Sequence, residues 1–142
     1  MLASPQARQE EEEIRVIATE KLELLGMRHK AHQPAGDLSF GEAKILEIAR
    51  ALASNPSLLL MDEPVAGVPH AEVSVVSEVI QEINAQGISV LLVEHNMGFV
   101  MSLCDDIVVL NYGKKIAEGS AKEVRTNPEV LTAYLGEDYS HA

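Results

Sequence analysis

The sequence predicts an α/β fold, a mostly parallel sheet with flanking helices. Short apolar runs bounded by turn residues, Leu58–Met61 and Ile88–Val93, have the pattern of fully buried parallel strands. The stretch Ala71–Gln86 between them has helical periodicity, and strand, helix and strand at this spacing form a βαβ unit. Hydrophobic residues make up 46% of the 142 residues and aromatic residues only 4%, so we expect an aliphatic core.

The first predicted helix runs from Glu10 to Leu25 and ends at Gly26, with residues 1–9 as a frayed start. The four glutamates Glu10–Glu13 then lie in its first turn, where the helix dipole favours negative charge. Residues 28–37 are polar, contain Pro34 and Gly36, and predict a linker.

The remaining elements follow from periodicity and turn residues. A second helix is predicted from about Gly41 to Ala53. After the βαβ unit we expect, in order, a short helix near Met97–Leu103, a hairpin of Ile107–Leu110 with Lys114–Glu118, and short helices at about Ala121–Arg125 and Glu129–Leu135.

The charge balance argues against a protein that coats nucleic acid, because 11 Lys and Arg face 22 Asp and Glu, for a net charge of -11. Helix N-termini can still bind anions without net positive charge. The single Cys104 excludes an internal disulfide and fits a reducing compartment. No signal-peptide-like run begins the sequence and no apolar stretch has the length of a membrane span, so we expect a cytosolic protein.

Two adjacent carboxylates, Asp62 and Glu63, follow the first predicted strand. Ligands of open α/β sheets bind at the carboxyl ends of strands. An Asp-Glu-Pro sequence after four apolar residues suits an Asp that holds Mg²⁺ and a Glu that aligns or deprotonates a water. Taken alone, the pair of carboxylates predicts a cap of the following turn equally well.

The segment Leu38–Glu42 has two interpretations. Ser39 and Glu42 have the S-x-x-E spacing of a capping box, which predicts a well-capped helix and nothing more. The same hydroxyl and free N–H groups, with Gly41 permitting close backbone approach, also form an anion site. His95 follows the second strand and is more often structural at such a position, although an imidazole there could contact a phosphate.

The order and spacing of these segments resemble the ATP-binding cassette (ABC) ATPases. LSFGE at Leu38–Glu42 is similar to the signature motif, LLLMDEP at Leu58–Pro64 to the Walker B strand, and LLVEH at Leu91–His95 to the strand with the switch histidine. IARAL at Ile48–Leu52 lies between the first two. The stretches VEHNMGFVMSLCDDIVVLNYGKKIAEGS and NPEVLTAYLG are similar to subunits of branched-chain amino-acid importers.

The resemblance implies roles for particular residues. The signature segment Ser39, Phe40, Gly41 and Glu42 would meet the γ-phosphate of an ATP bound mainly by a partner subunit. Asp62 would hold Mg²⁺ through water, Glu63 would polarise the attacking water, and His95 would contact the γ-phosphate. The implied cofactors are ATP and Mg²⁺. The implied partners are a second ATP-binding subunit and transmembrane permease subunits, which would hold the chain at the inner face of the cell membrane; no nucleic acid is expected.

The 142 residues contain no P-loop pattern G-x-x-x-x-G-K-S/T, the motif that cradles nucleotide phosphates in this family. The resemblance therefore assigns residues 1–36 to the end of a helical subdomain and linker, and residues 37–142 to the C-terminal part of a nucleotide-binding domain with a partial P-loop NTPase fold. We expect this chain alone to hydrolyse ATP negligibly. We also expect its strands to be partly uncovered, with poor solubility or self-association.

Two alternatives stay open. The chain could be a non-catalytic binding module that completes the ATP site of a P-loop-bearing partner. It could also derive from an ABC-type ATPase outside transport, such as one of DNA repair, which the net charge of -11 disfavours.

Overall fold

The structure, a computed structural model, describes residues 4–135. Its elements over that range are, in chain order, α1 (Pro5–Leu24), two 3-10 helices (Arg28–Lys30 and Ala35–Asp37), α2 (Phe40–Leu52), β1 (Leu58–Asp62), α3 (His70–Ala85), β2 (Ser89–Val93), α4 (Met97–Leu103), β3 (Ile107–Asn111), β4 (Lys114–Gly119), α5 (Ala121–Thr126) and α6 (Pro128–Leu135). The chain forms two compact units, which divide in sequence between Val93 and Glu94.

The first unit contains the predicted βαβ arrangement. β1 and β2 pair in parallel, with a register that runs from Leu58 opposite Ser89 to Asp62 opposite Val93. The buried side chains come mainly from α2, β1 and α3: Ile45, Ile48, Ala49, Leu52, Leu59, Met61, Val76, Val79, Ile80 and Ile83. The predicted α/β class with a parallel strand pair is confirmed.

The burial pattern of fully buried parallel strands holds for one face of this pair only, and the expectation that the strands are partly uncovered is confirmed on the other face. Leu59 and Met61 are buried, but Leu58 and Leu60 on β1 are 50% and 67% exposed. Leu91 and Val93 on β2 are also more than half exposed, and the parallel register places all four on the same face. A four-residue apolar run looks the same whether one face is covered or two, so the run alone does not show which face is exposed; the absent P-loop pattern was the signal that one would be.

α1 begins five residues earlier than predicted. Ser4 caps it by accepting a hydrogen bond from Ala7 N (3.1 Å), and Pro5 is the first helical residue, where its missing N–H costs nothing. The run Glu10–Glu13 therefore lies beyond the first turn rather than in it. The apolar residues at three- and four-residue spacings that predict this helix are also largely exposed, with Ile14 at 67%, and the first buried side chains are Leu25 and Met27, beyond the helix.

The second unit contains the predicted hairpin. β3 and β4 pair antiparallel around Tyr112 and Gly113, whose positive φ values (45° and 76°) match a two-residue hairpin turn. Its core lies between this hairpin and the last three helices and consists of Val100, Ile107, Val109, Ala117, Val124 and Val130.

None of the helices within residues 4–135 combines the length and apolar character needed to cross a bilayer.

Candidate functional site

The N-terminus of α2 is the predicted capping box. Ser39 is the N-cap residue in extended conformation, and its Oγ accepts a hydrogen bond from Glu42 N (3.2 Å). In return, Ser39 N donates to Oε2 of Glu42 (2.9 Å). This confirms the capping interpretation, which does not exclude the anion-binding interpretation because both need the same geometry.

An anionic oxygen from elsewhere in the first unit binds to this helix terminus. The Ser39 hydroxyl donates to Oε2 of Glu72 (2.8 Å), and Gly41 N donates to the same oxygen (2.9 Å). Glu72 lies in the first turn of α3. Sequence reasoning missed this residue; the only signal was an acidic residue early in the helix that follows Asp62-Glu63.

Gly41 is buried, and its lack of a side chain leaves room for this contact. A Cβ at Gly41 would lie 2.5 Å from Glu72 Oε2 and 3.1 Å from Glu72 Cβ. Both distances are too short, so the glycine lets the carboxylate approach the helix backbone closely.

Lys30 adds a positive charge beside the capping box. Its Nζ lies 3.0 Å from Oε1 of Glu42, and both side chains are largely shielded from solvent, at 24% and 29% exposed. The Ser39 N–H first, and then Lys30, lower the pKa of Glu42 below its usual value. The remaining predicted residue of this segment, Phe40, is 71% exposed, so its ring faces solvent rather than the core.

Asp62 and Glu63 lie at the carboxyl end of β1, as predicted, and both are exposed. Glu63 N donates to Val93 O (2.9 Å), which extends the pairing with β2 by one residue. Glu63 has a φ of 47°, in the left-handed region that costs a non-glycine residue roughly 1–2 kcal/mol. Such backbone strain concentrates at functional positions.

A magnesium ion at this strand end would depend on ligands beyond the protein. Among residues 4–135, no three His, Cys, Asp or Glu side chains lie together in a metal-binding group. Mg²⁺ in nucleotide sites commonly takes one or two carboxylates, with phosphates and waters as the other ligands. The exposed Asp62 carboxylate fits that limited role.

His95 belongs to the second unit, two positions after Val93. Its backbone N–H and that of Asn96 both donate to Oε2 of Glu94, at 2.9 and 3.1 Å. The Glu94 side chain is only 1% exposed, and the same oxygen lies 3.7 Å from Nδ1 of the exposed His95 ring. Glu94 therefore shapes the turn that presents His95, a role that sequence reasoning did not assign.

The predicted site residues thus form three local groups. Ser39, Gly41 and Glu42 share the start of α2, Asp62 and Glu63 share the end of β1, and His95 follows β2. The proximity of His95 to the carboxylates stays a prediction.

Comparisons with known proteins match this chain to ATP-binding cassettes. The sequence model described as "ABC transporter" matches residues 3–66, and the model described as "Branched-chain amino acid ATP-binding cassette transporter" matches residues 114–140. The fold resembles the crystal structure of the ADP conformation of an ATP-binding cassette of an ABC transporter, with a TM-score of 0.81 at 37% identity. That match covers 87% of this chain and 50% of the other.

Two relatives indicate which type of ABC transporter ATP-binding protein this chain resembles. The high-affinity branched-chain amino acid transport ATP-binding protein LivG of Salmonella typhimurium is 38% identical over 138 residues, covering 96% of this chain and 54% of that protein. A probable branched-chain amino acid transport ATP-binding protein LivG of Archaeoglobus fulgidus is 41% identical over 127 residues, covering 89% of this chain and 49% of that protein. Over nearly its whole length the chain is similar to ABC transporter ATP-binding proteins named for branched-chain amino acid transport, and it spans about half the length of these relatives.

Proposed function

We propose that the chain is the C-terminal portion of the ATP-hydrolysing subunit of an ABC importer for branched-chain amino acids. In this role it presents the start of α2 to the γ-phosphate of an ATP held by the P-loop of a second ATP-binding subunit. Permease subunits in the membrane would use this association of the two ATP-binding subunits to drive transport.

One observation supports this proposal most directly. The Ser39 hydroxyl and the Gly41 N–H already bind a carboxylate oxygen, at 2.8 and 2.9 Å. Two converging donors at a helix N-terminus have the geometry that a phosphate oxygen also requires. A helix that was only capped would need Ser39 and Glu42, whose reciprocal bonds do not use the Gly41 N–H.

The strand-end residues have the other proposed roles. Asp62 would hold Mg²⁺, which would neutralise phosphate charge when bound. Glu63 would orient and deprotonate the attacking water, and His95 would donate a hydrogen bond to the γ-phosphate.

The test is nucleotide-dependent association. The chain is immobilised and exposed to a purified P-loop-bearing subunit of the same family, with a non-hydrolysable ATP analogue and Mg²⁺. We expect binding that requires the analogue and weakens at least about tenfold in Ser39→Ala, the loss of about one hydrogen bond to a charged group. Ser74→Ala, on the exposed surface of α3, is the matched control. Association that ignores nucleotide, or that Ser39→Ala leaves intact, would contradict the proposal.

ATP turnover separates the proposed function from the binding-module alternative. The chain alone should hydrolyse Mg·ATP negligibly; turnover that Glu63→Gln abolishes would show this expectation to be wrong. If the chain is only a binding module, ATP turnover by the mixture of chain and partner requires Ser39 but not Glu63. A catalytic portion predicts that Glu63→Gln lowers turnover beyond the loss caused by the control Glu78→Gln.

The exposed strand face suggests where the rest of a cassette packs. Leu58, Leu60, Leu91 and Val93 form an apolar surface, and the chain spans only about half the length of its relatives. We infer that the P-loop-bearing half of a cassette covers this face, and that the isolated chain self-associates through it. Light scattering should then show smaller particles for Leu60→Ser/Leu91→Ser; a monodisperse unmodified chain would refute this. Leu59→Ser, a buried control, should instead lower stability.

A further inference from the structure

Glu72 joins two helices that would otherwise meet through their positive ends. Its carboxylate accepts hydrogen bonds from Ser39 and Gly41 at the start of α2, while Glu72 itself lies in the first turn of α3. A helix N-terminus carries a partial charge of roughly +0.5, so an anion between two such ends is stabilised by both. Pro69, the N-cap residue of α3, supplies no side-chain cap of its own.

The two donors that Glu72 occupies are the ones that the proposed function assigns to a phosphate. A hydroxyl has one proton to donate, and the Gly41 N–H has one as well. A γ-phosphate oxygen at the same place would also lie beside a negatively charged carboxylate. The phosphate and Glu72 therefore compete for one position.

We propose that Glu72 is an internal anion that occupies the two donors of the signature segment until the phosphate of a partner-bound ATP displaces it. This inference rests on the proposed function and adds its regulation. The carboxylate stabilises the free chain by satisfying both donors. It raises the ATP concentration needed for association, because its hydrogen bonds must break before those to the phosphate form. Gly41 leaves room for the carboxylate, since a Cβ there would lie 2.5 Å from Glu72 Oε2.

The test compares variants at position 72 in the association experiment. Glu72→Ala removes the competitor, and we expect half-maximal association at about a tenfold lower concentration of the ATP analogue, equivalent to about 1.4 kcal/mol. Glu72→Gln keeps the shape and one acceptor oxygen without the charge, so it should give a smaller shift in the same direction. Glu78→Ala, which removes an exposed carboxylate from the same helix, is the matched control and should change nothing.

A second measurement reports the contact without nucleotide. The amide proton of Gly41 should shift upfield in Glu72→Ala, and not in Glu78→Ala, because its charged acceptor is gone. An unchanged Gly41 resonance would overturn the proposal.

The outcomes separate the two ideas. Equal or weaker association of Glu72→Ala, while the unmodified chain still associates, would overturn the competition and leave the proposed function standing. No nucleotide-dependent association in any variant would overturn both. If Glu72→Ala does not fold, the direction of the Glu72→Gln shift decides.

Discussion

Two helices in the described part of this chain begin with the same capping box, and only one of these boxes is hydrogen-bonded to a side chain from another helix. α2 begins with Ser39 and Glu42, and α5 begins with Ser120 and Glu123. Both boxes make the reciprocal bonds between serine and glutamate. In both, hydrogen bonds lower the pKa of the glutamate.

The serine hydroxyl protons show the difference. At α5 the Ser120 hydroxyl donates to Glu123 within the same box (2.6 Å). At α2 the Ser39 hydroxyl donates instead to Glu72, 33 residues along the chain, and the Gly41 N–H joins it. The box at α5 is therefore satisfied locally, whereas the terminus of α2 is completed by an anion from another helix. A capping motif becomes evidence of function only when its donors reach beyond the box.

The largest expected effect comes from removing each serine. Ser39→Ala and Ser120→Ala should each lower the free energy of unfolding by about 1 kcal/mol, because each removes an N-cap. Only Ser39→Ala should also weaken nucleotide-dependent association, by at least about tenfold. Urea unfolding and the association assay check the two parts. Equal effects of both substitutions on association would erase the distinction between the two termini.

A smaller effect is expected from adding a methyl group at the second helical residue. Gly41→Ala should destabilise the chain by less than about 1 kcal/mol, since the Cβ forces the Glu72 carboxylate away while the higher helix propensity of alanine offsets part of that cost. Gly98 occupies the same position in α4, and a Cβ there would meet only Asn96 Oδ1 at 3.5 Å. Gly98→Ala should therefore be neutral or stabilising by up to about 1 kcal/mol. Thermal unfolding measures the stability of both variants. Similar changes in stability for Gly41→Ala and Gly98→Ala would show that Glu72 is not tightly held.

The smallest effect is on acid stability. A carboxyl whose pKa is lowered on folding stabilises the fold fully above its unfolded pKa of about 4.3, and this contribution disappears as pH falls through the folded value. Glu42→Gln and Glu123→Gln should thus each flatten the loss of thermal stability below about pH 4.3. Lys30→Gln should partly flatten it through Glu42, because Lys30 contacts only that box. Identical pH profiles for Lys30→Gln and the unmodified chain would contradict a role for this ion pair.

Local patterns predicted most of the secondary structure. The predicted helix Met97–Leu103 has the observed bounds, and the predicted hairpin differs by one residue in each strand. Asn96 caps the helix and Tyr112-Gly113 turn the hairpin, so both depend on residues within a few positions. The start of α1 was predicted less well. It is set by the local signal of Ser4 and Pro5, whereas the prediction rested on an apolar periodicity whose residues the fold leaves exposed.

The candidate site was predictable in part for the same reason. Strand ends and a capping box can be recognised from adjacent residues, so the positions of Asp62 and Glu63 after a strand and of Ser39 at a helix start were predictable. Glu94 was not, because its role depends on burial of a side chain that looks like any other glutamate. The left-handed φ of Glu63 was also unforeseen, since nothing in an Asp-Glu-Pro sequence requires it.

The sequence by itself determined the α/β class, the order of the elements, the capped start of α2 and the carboxylates after β1, because each depends on residues close together in the chain. Only the tertiary structure decided that Glu72 binds Ser39 and Gly41, and which face of β1 and β2 is the exposed one. Those outcomes depend on which distant surfaces meet. Hydrogen bonds and burial across more than thirty residues follow from packing, and no local pattern encodes them.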